Sequence, residues 1–467
     1  MNQRMTERNL INELQTNGLR LTRPGQRHVS RRGGAGPTDH QAVTIGETTV
    51  MVPVYTEPAM QSPFVLGAEN DSTLMLENPQ FIGHGIYSVA DAARLTEEEA
   101  TILYEKADLA ELQQAALERR RTQVPGGVVS YMVDRNVNYT NVCTINCQFC
   151  SFYRPPGHAE TYTQTYEQIS ERVRELEDIE GVRILMQGGV HPDLPIEWYE
   201  DLLRHLRTNH PTIALDCFSP IEIEGIADVT GLSTLEVLRR FQECGMHGLP
   251  GGGAEMLVDE VRLDVSPKKG SADNWLRVMA EAQSLGLTTS ATNVFGFGET
   301  EAQRVRHMAR VREVQDDALA NGWVGFTSFI SWPVMLETNV FGKRNRGRNR
   351  YELGASPTEY LRHVAVSRLF FDNIEHIQAS WPTMGIGVAQ MALFGGADDA
   401  GSTMMEENVV SASGTRKVLA TELELQETIL RAGFTPRRRD SDYNLLETPD
   451  LDIDVQGFPC PPPLQPV

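Results

Sequence analysis

From residue 183 to residue 380 the chain alternates short strand-like runs with longer helical stretches, and this alternation constrains the fold most. Arg183–Met186 reads as a strand, followed by a helix at 196–208. Residues 212–218 read as the next strand, with a helix near 233–243. A helix at 271–285 leads into a strand at 287–294, and a helix at 301–320 into a strand at 324–332. A helix at 357–373 then precedes the strand-like 375–380. Strands separated by helices at this spacing argue for a parallel sheet. The expected fold class is α/β, a (β/α) TIM-type barrel, with catalytic loops at the C-terminal ends of its strands.

Ahead of that alternation stands Cys143-Thr-Ile-Asn-Cys147-Gln-Phe149-Cys150. This C-x3-C-x2-C spacing supplies three thiolates. A cluster of four irons takes four ligands when protein holds every iron. Three ligands leave one iron open to a small molecule, by the logic that separates catalytic metal sites from closed structural ones. Zinc sites pair their ligands across two distant elements, and no second C-x2-C occurs here. The candidate metal ligands are therefore Cys143, Cys147 and Cys150. Of the six cysteines, Cys217, Cys244 and Cys460 are scattered without a disulfide rhythm. Sparse thiols beside a metal-type motif suit a reducing cytosol.

The 467 residues are 40% hydrophobic and 22% charged, which suits a globular protein with ample core. The net charge of -21 argues against generic binding to nucleic acid or an anionic membrane. No apolar run approaches the ~18–20 residues of a membrane span. Residues 1–80 read as a disordered extension, with Gly-Gly-Ala-Gly-Pro at 33–37. Arginines in its first forty residues faintly resemble a transit peptide, which Glu7 and Glu13 argue against. Residues 81–128 form an N-terminal helical segment, with helix expected over 88–121 and Thr96 and Glu99 placed for a capping box. The barrel with a C-terminal cap is expected over 129–440, and an acidic, Pro-rich disordered tail over 441–467.

Several polar motifs fall at expected strand ends. Gln187-Gly188-Gly189 follows the strand ending at Met186, where glycines let backbone approach a ligand or simply make a tight turn. Ser219 and Glu222 follow the next strand, either to accept hydrogen bonds from a ligand or to cap a helix. Pro250-Gly-Gly-Gly253-Ala-Glu255 is a second glycine-rich turn, open to both readings. His376, Gln378 and Ser380 alternate on one face, as barrel-lining groups or a buried hydrogen-bonded layer. Glu406, Glu407 and Asn408 are adjacent, so at most one or two reach a common site. Lys343-Arg344-Asn-Arg346-Gly-Arg348-Asn-Arg350 places five cations in eight residues. That run either grips an anionic substrate or partner, or is a solvated insertion.

The cysteine motif, with Phe149 before its third cysteine, is the signature of the radical S-adenosylmethionine (SAM) enzymes. Within them, the chain resembles the family of cyclic dehypoxanthinyl futalosine synthases, of the futalosine route to menaquinone. The resemblance runs from about 85 to 440 through Tyr139-Thr-Asn-Val-Cys143, Cys150-Ser-Phe-Tyr-Arg-Pro155 and Leu185-Met-Gln-Gly-Gly189. It continues in Pro250 to Glu255 and His376 to Trp381, and is strongest from Gly401 to Gly414. Two stretches depart from the pattern. Phe297 stands where the family has histidine, in Phe295-Gly-Phe-Gly-Glu-Thr300, and Ser331 to Glu337 replaces a Pro-Trp-x-Phe-Gln-Pro stretch.

The resemblance implies a [4Fe-4S] cluster and SAM as cofactors, with Phe149, Gln187, Gly188, Gly189, Ser219 and Glu222 around them. It implies one-electron cleavage of SAM to methionine and a 5′-deoxyadenosyl radical, which takes hydrogen from ribose C4′ of a nucleoside-like substrate. The carbon radical closes on the benzoate ring, and loss of an electron and a proton restores aromaticity. Glu407 and His376 are the candidates for receiving that proton. A one-electron donor such as a flavodoxin or ferredoxin is implied as partner. The sister activities to separate are aminofutalosine synthase and the deazaflavin-forming (FO) synthase components.

Overall fold

The computed structural model describes residues 94–449, except 125, 407, 410, 414–416 and 418, together with four short strands nearer the N-terminus. Those strands lie in the stretch expected to be a disordered extension. They pair antiparallel, β1 (His28–Arg31) with β4 (Phe64–Gly67) and β2 (Asp39–Ile45) with β3 (Thr48–Val54).

The remaining ten strands are β5 (Val128–Met132), β6 (Asp134–Val137), β7 (Arg183–Met186), β8 (Ala214–Cys217), β9 (Gly248–Leu249), β10 (Thr288–Phe295), β11 (Phe326–Pro333), β12 (His376–Gln378), β13 (Asp399–Ser402) and β14 (Thr435–Arg438). All pair in parallel. β6 aligns with β7 from Asp134 opposite Arg183 to Val137 opposite Met186. Pairing then proceeds in chain order through β13, which returns to β5 with Ser402 opposite Met132. β5 and β6 are two halves of one run broken at Val133, and Arg135 also bridges Met405. The sheet therefore closes on its own first strand as an eight-stranded barrel. β14 adds to the free edge of β5 at the barrel's N-terminal end.

Helix positions follow from apolar spacing. In the helix Ile196–Asn209 the buried residues Tyr199, Leu202, Leu203 and Leu206 recur at intervals of three and four. Each buried leucine contributes roughly 1.5–3 kcal/mol. The helix Pro220–Thr230, which Ser219 caps, is one of the two readings left open after β8, and it buries Ile221, Ile223 and Ile226. The expected helix over 88–121 is two helices, Glu97–Lys106 and Leu109–Gln123, the second capped by Asp108. Thr96 and Glu99 exchange both capping-box bonds, at 3.2 and 2.9 Å. Buried Arg304 ties this pair to the barrel by donating to the Tyr104 hydroxyl at 3.0 Å. Among the described residues no helix is long and apolar enough to cross a membrane.

The C-terminal boundary differs from expectation. Residues 441–443 of the expected tail pack against the barrel. Ser441 donates to Asp216, Arg439 to Asp399, and Thr288 to Asp442. Tyr443 stacks on His376, with ring centres 3.9 Å apart and planes 5° from parallel. Residues 439–443 thus close the N-terminal mouth, through polar contacts that leave no apolar period to read.

Candidate active site

The three cysteines lie on the loop that leaves β6, at the C-terminal mouth. Backbone bonds hold this loop on several sides. Cys143 N donates to Arg154 O at 3.0 Å, Thr144 N to Val190 O at 3.1 Å and Gln148 N to Val265 O at 2.9 Å. All three thiols are free. Burial, then the neighbouring Cys147, pushes the Cys150 thiol up to about 12, so a metal must displace its proton on binding. Buried Lys269 places its ammonium 2.6 Å from Glu255 and 5.4 Å from the Phe149 ring centre. Burial opposes that charge, but Cys147 and Glu255 outweigh it and raise the Lys269 pKa.

The glycine pair after β7 is shaped by this loop. A Cβ on Gly189 would sit 2.1 Å from the Val142 carbonyl oxygen and 2.7 Å from Cys143 Cβ. The close approach that requires glycine here is therefore to the cysteine loop itself. Gly188 N donates to Glu222 at 2.9 Å, and Tyr139 and Ser219 hydroxyls each donate to the same carboxylate at 2.7 Å. Ser219 also caps the helix Pro220–Thr230. Neither Ser219 nor Glu222 lines the barrel cavity. Both brace the site: Glu222 joins the cysteine loop to the glycine turn from behind. Burial raises its pKa to about 7, against the pull of its three donors.

A cavity of about 330 Å³ occupies the lumen. Phe149 and Cys150 wall it above, with Asn138, Gln187, the turn Pro250–Gly253 and Glu255. Below come Asn136, Thr292 and Gln378, and Arg439 and Tyr443 of the floor. Gly251 reaches this wall because a Cβ would meet the Ser290 carbonyl at 2.2 Å. Met404, Val409 and Ser413 lean over one side. That segment is fastened to the cysteine loop where Ser413 donates to Ser151 at 2.8 Å, and to the stretch after β11 where Thr338 donates to Ala412 O at 2.6 Å.

These residues fit a cluster. Three free thiols on a backbone-pinned loop meet a cation and the barrel lumen, the donor set and setting an iron–sulfur group with an open iron needs. Among the described residues no three side chains converge for one shared ion. A cluster spreads its ligands over separate irons.

Other expectations change. His376 is the first residue of β12, at the floor, held 2.6 Å from Asp398 and stacked on Tyr443. It does not line the cavity, and its ring is engaged by Asp398 and Tyr443. Burial opposes ionisation of Asp398, but Arg368 and His376 prevail and hold it at about 2. Glu407 lies outside the described residues, while Glu406 is spent on Arg135 and Arg172, at 2.7 and 3.0 Å. Phe297 packs on Phe149 and Phe341, with both centre distances 5.3 Å, behind the cavity wall rather than in it. None of Lys343–Arg350 lines the cavity. Sequence reasoning missed Lys269, Asn136 and Arg439. Only the alternation Asn136-Val-Asn138 carried a signal for any of them.

Residues 137–311 match the radical SAM superfamily, and residues 323–451 match the CofH/MqnC C-terminal region. The cyclic dehypoxanthine futalosine synthase of Halalkalibacterium halodurans is 42% identical over 355 residues, covering 76% of this chain and 92% of that one. This chain belongs to the radical SAM superfamily, with the cyclic dehypoxanthine futalosine synthases. The aminodeoxyfutalosine synthase of Streptomyces coelicolor is 35% identical, over 78% of this chain and 94% of its own length. The solved methylornithine synthase shares the fold, with a TM-score of 0.58 at 16% identity, covering 76% of this chain and 96% of that one. Like other radical SAM enzymes, the protein uses a [4Fe-4S] cluster and SAM.

Proposed function

We propose that the chain closes dehypoxanthine futalosine to its cyclic form, with Cys143, Cys147 and Cys150 holding the cluster. One observation carries the structural side of this reading. Phe149 and Cys150 of the ligand loop wall the same lumen as a polar strand face of Asn136, Gln187, Thr292 and Gln378. When bound, the reduced cluster and SAM supply a 5′-deoxyadenosyl radical that abstracts hydrogen.

The chain's own residues confine that chemistry. The floor residues Arg439, Ser441 and Tyr443, with Met404, Val409 and Ser413, narrow the lumen, which limits water around a reactive intermediate. Asn138 and Gln187 stand beside the ligand loop and orient what binds there: Asn138 Nδ2 donates to Gln187 O at 3.0 Å, and Gln187 Nε2 to Phe218 O at 3.1 Å. Asn138 Oδ1 accepts from Asn408 Nδ2 at 3.2 Å, which leaves Gln187 Oε1 to serve a nucleoside-like substrate rich in hydroxyls. Glu255 stays paired with Lys269.

Anaerobic turnover of reconstituted, reduced protein with SAM and dehypoxanthine futalosine, read by mass spectrometry, tests the reading. A product lighter by two hydrogens, with about one free 5′-deoxyadenosine per turnover, is expected. An adduct that retains the deoxyadenosyl group would move the chain to the aminodeoxyfutalosine synthase chemistry. Deoxyadenosine without change in the substrate would reject this substrate.

A further inference from the structure

The basic insertion does not face the lumen, yet it is built onto the cysteine loop. Its short helix Val340–Arg344 is anchored where Phe341 N donates to Gln148 O at 2.8 Å. Asn339 Nδ2 donates to Phe149 O at 3.1 Å. Arg344 reaches Gln148 Oε1 at 3.2 Å, between the second and third cysteines. From the other side, exposed Lys268 donates to Thr144 O at 3.3 Å, just past the first cysteine. Between these cations Asn146 is exposed, so the ligand loop itself forms protein surface.

The charge here opposes that of the whole molecule. Lys268, Lys343, Arg344, Arg346 and Arg348 are exposed, with Arg350 half-buried beside them. The carboxylates among them are Asp264, paired with Arg344 at 2.7 Å, Glu337, near Arg350 at 3.6 Å, and Glu352, which accepts from Asn349 N. Among the described residues Lys343, Arg346 and Arg348 have no acidic partner. Six cations against three carboxylates, on a chain of net charge -21, make a local positive field around the ligand loop.

We propose that this surface, Lys268 with Lys343–Arg350, docks an acidic one-electron carrier protein and delivers its electron to the cluster through the outer face of the cysteine loop. The carrier is oxidised by one electron and the cluster reduced by one. No bond or proton moves. Opposite fields steer such an encounter and orient it, and salt screens them. This rests on the cluster and not on the identity of the substrate.

The test uses full-length holoprotein and a reduced acidic flavodoxin as probe, without substrate. Cluster reduction is followed by stopped-flow bleaching of its visible absorbance. The wild-type rate is expected to fall about tenfold or more from low to high salt, as steered association does. Lys343→Glu, Arg346→Glu and Arg348→Glu combined should slow it about tenfold at low salt and flatten its salt dependence. Photoreduction by a small deazaflavin should proceed at the same rate in both proteins. A glutamine version of the three sites should fall between them, and serves if charge reversal prevents folding. Flavodoxin reduction of either variant at the wild-type rate, with the wild-type salt dependence, would overturn the proposal. Equal slowing with flavodoxin and deazaflavin would also overturn it, since the defect would then lie in the cluster.

Discussion

Gly189 lies against the Val142 carbonyl so closely that a Cβ would stand 2.1 Å from the oxygen. The glycine turn and the ligand loop are therefore shaped together, and neither moves alone. Gly189→Ala should push the loop outward and cut iron content after reconstitution severalfold, leaving far-UV circular dichroism unchanged. Iron and sulfide analysis checks this. Full loading of the variant would mean that the loop accommodates the methyl group.

Glu222 makes stability depend on pH. Its folded pKa, about 7, lies above the ordinary 4.5 because burial disfavours the charge. Between those values the folded chain holds a proton that the unfolded chain has lost. Stability is therefore fullest below about 4.5, falls as pH rises towards 7, and levels above that. Glu222→Gln keeps an oxygen for Tyr139 and Gly188 but cannot ionise, so this group's contribution to the slope should vanish. Glu222→Ala instead strands the Tyr139 hydroxyl and Gly188 N–H, at about 1–3 kcal/mol each. Urea midpoints of the three proteins across pH 4.5–7 decide it. An unchanged slope in Glu222→Gln would reject the carboxylate as its source.

The barrel was legible because helices such as Ile196–Asn209 carry a clean apolar period. The ligand loop was legible because three cysteines in eight residues have few other uses. The floor was not. Arg439, Ser441 and Tyr443 act through ion pairs, hydroxyl bonds and ring stacking, whose partners Asp399, Asp216 and His376 lie far away in sequence. A polar run followed by prolines looks like tail until those partners are placed. β13, Asp-Ala-Gly-Ser, carries no β-branched or aromatic residue and was equally silent. His376 was seen as a polar group near a strand, but sequence does not say which mouth of a barrel a residue faces, and Glu222, at the expected mouth, turns its carboxylate to Tyr139, Gly188 and Ser219.

The cysteines divide by position. Cys217 and Cys244 are buried in the apolar core, away from the ligand loop. Cys217→Ala should leave iron content near wild type, whereas alanine at Cys143, Cys147 or Cys150 should abolish the cluster's visible absorbance. Because Cys150 holds its proton to about 12, reconstitution near neutral pH should also release protons, measurable with an indicator dye. Iron retained without Cys150 would remove it from the ligand set.

Arg439, ion-paired with Asp399, lines the cavity at the floor, where we expect it to meet the substrate. Its Nε donates to Asp399 and its Nη1 to the Asp440 carbonyl at 3.0 Å. Among the described residues no partner meets Nη2, and the side chain lines the cavity. A guanidinium with a donor to spare suits a carboxylate such as that of the benzoate ring. Losing a charged hydrogen bond of about 1.5–3 kcal/mol corresponds to roughly tenfold to a hundredfold in affinity. Arg439→Gln should therefore raise KM by at least about tenfold, with a smaller change in kcat and unchanged iron content. Arg439→Lys should recover part of that loss. If both variants kept the wild-type KM while melting earlier, Arg439 would be a brace for the floor, and the carboxylate would bind elsewhere in the lumen.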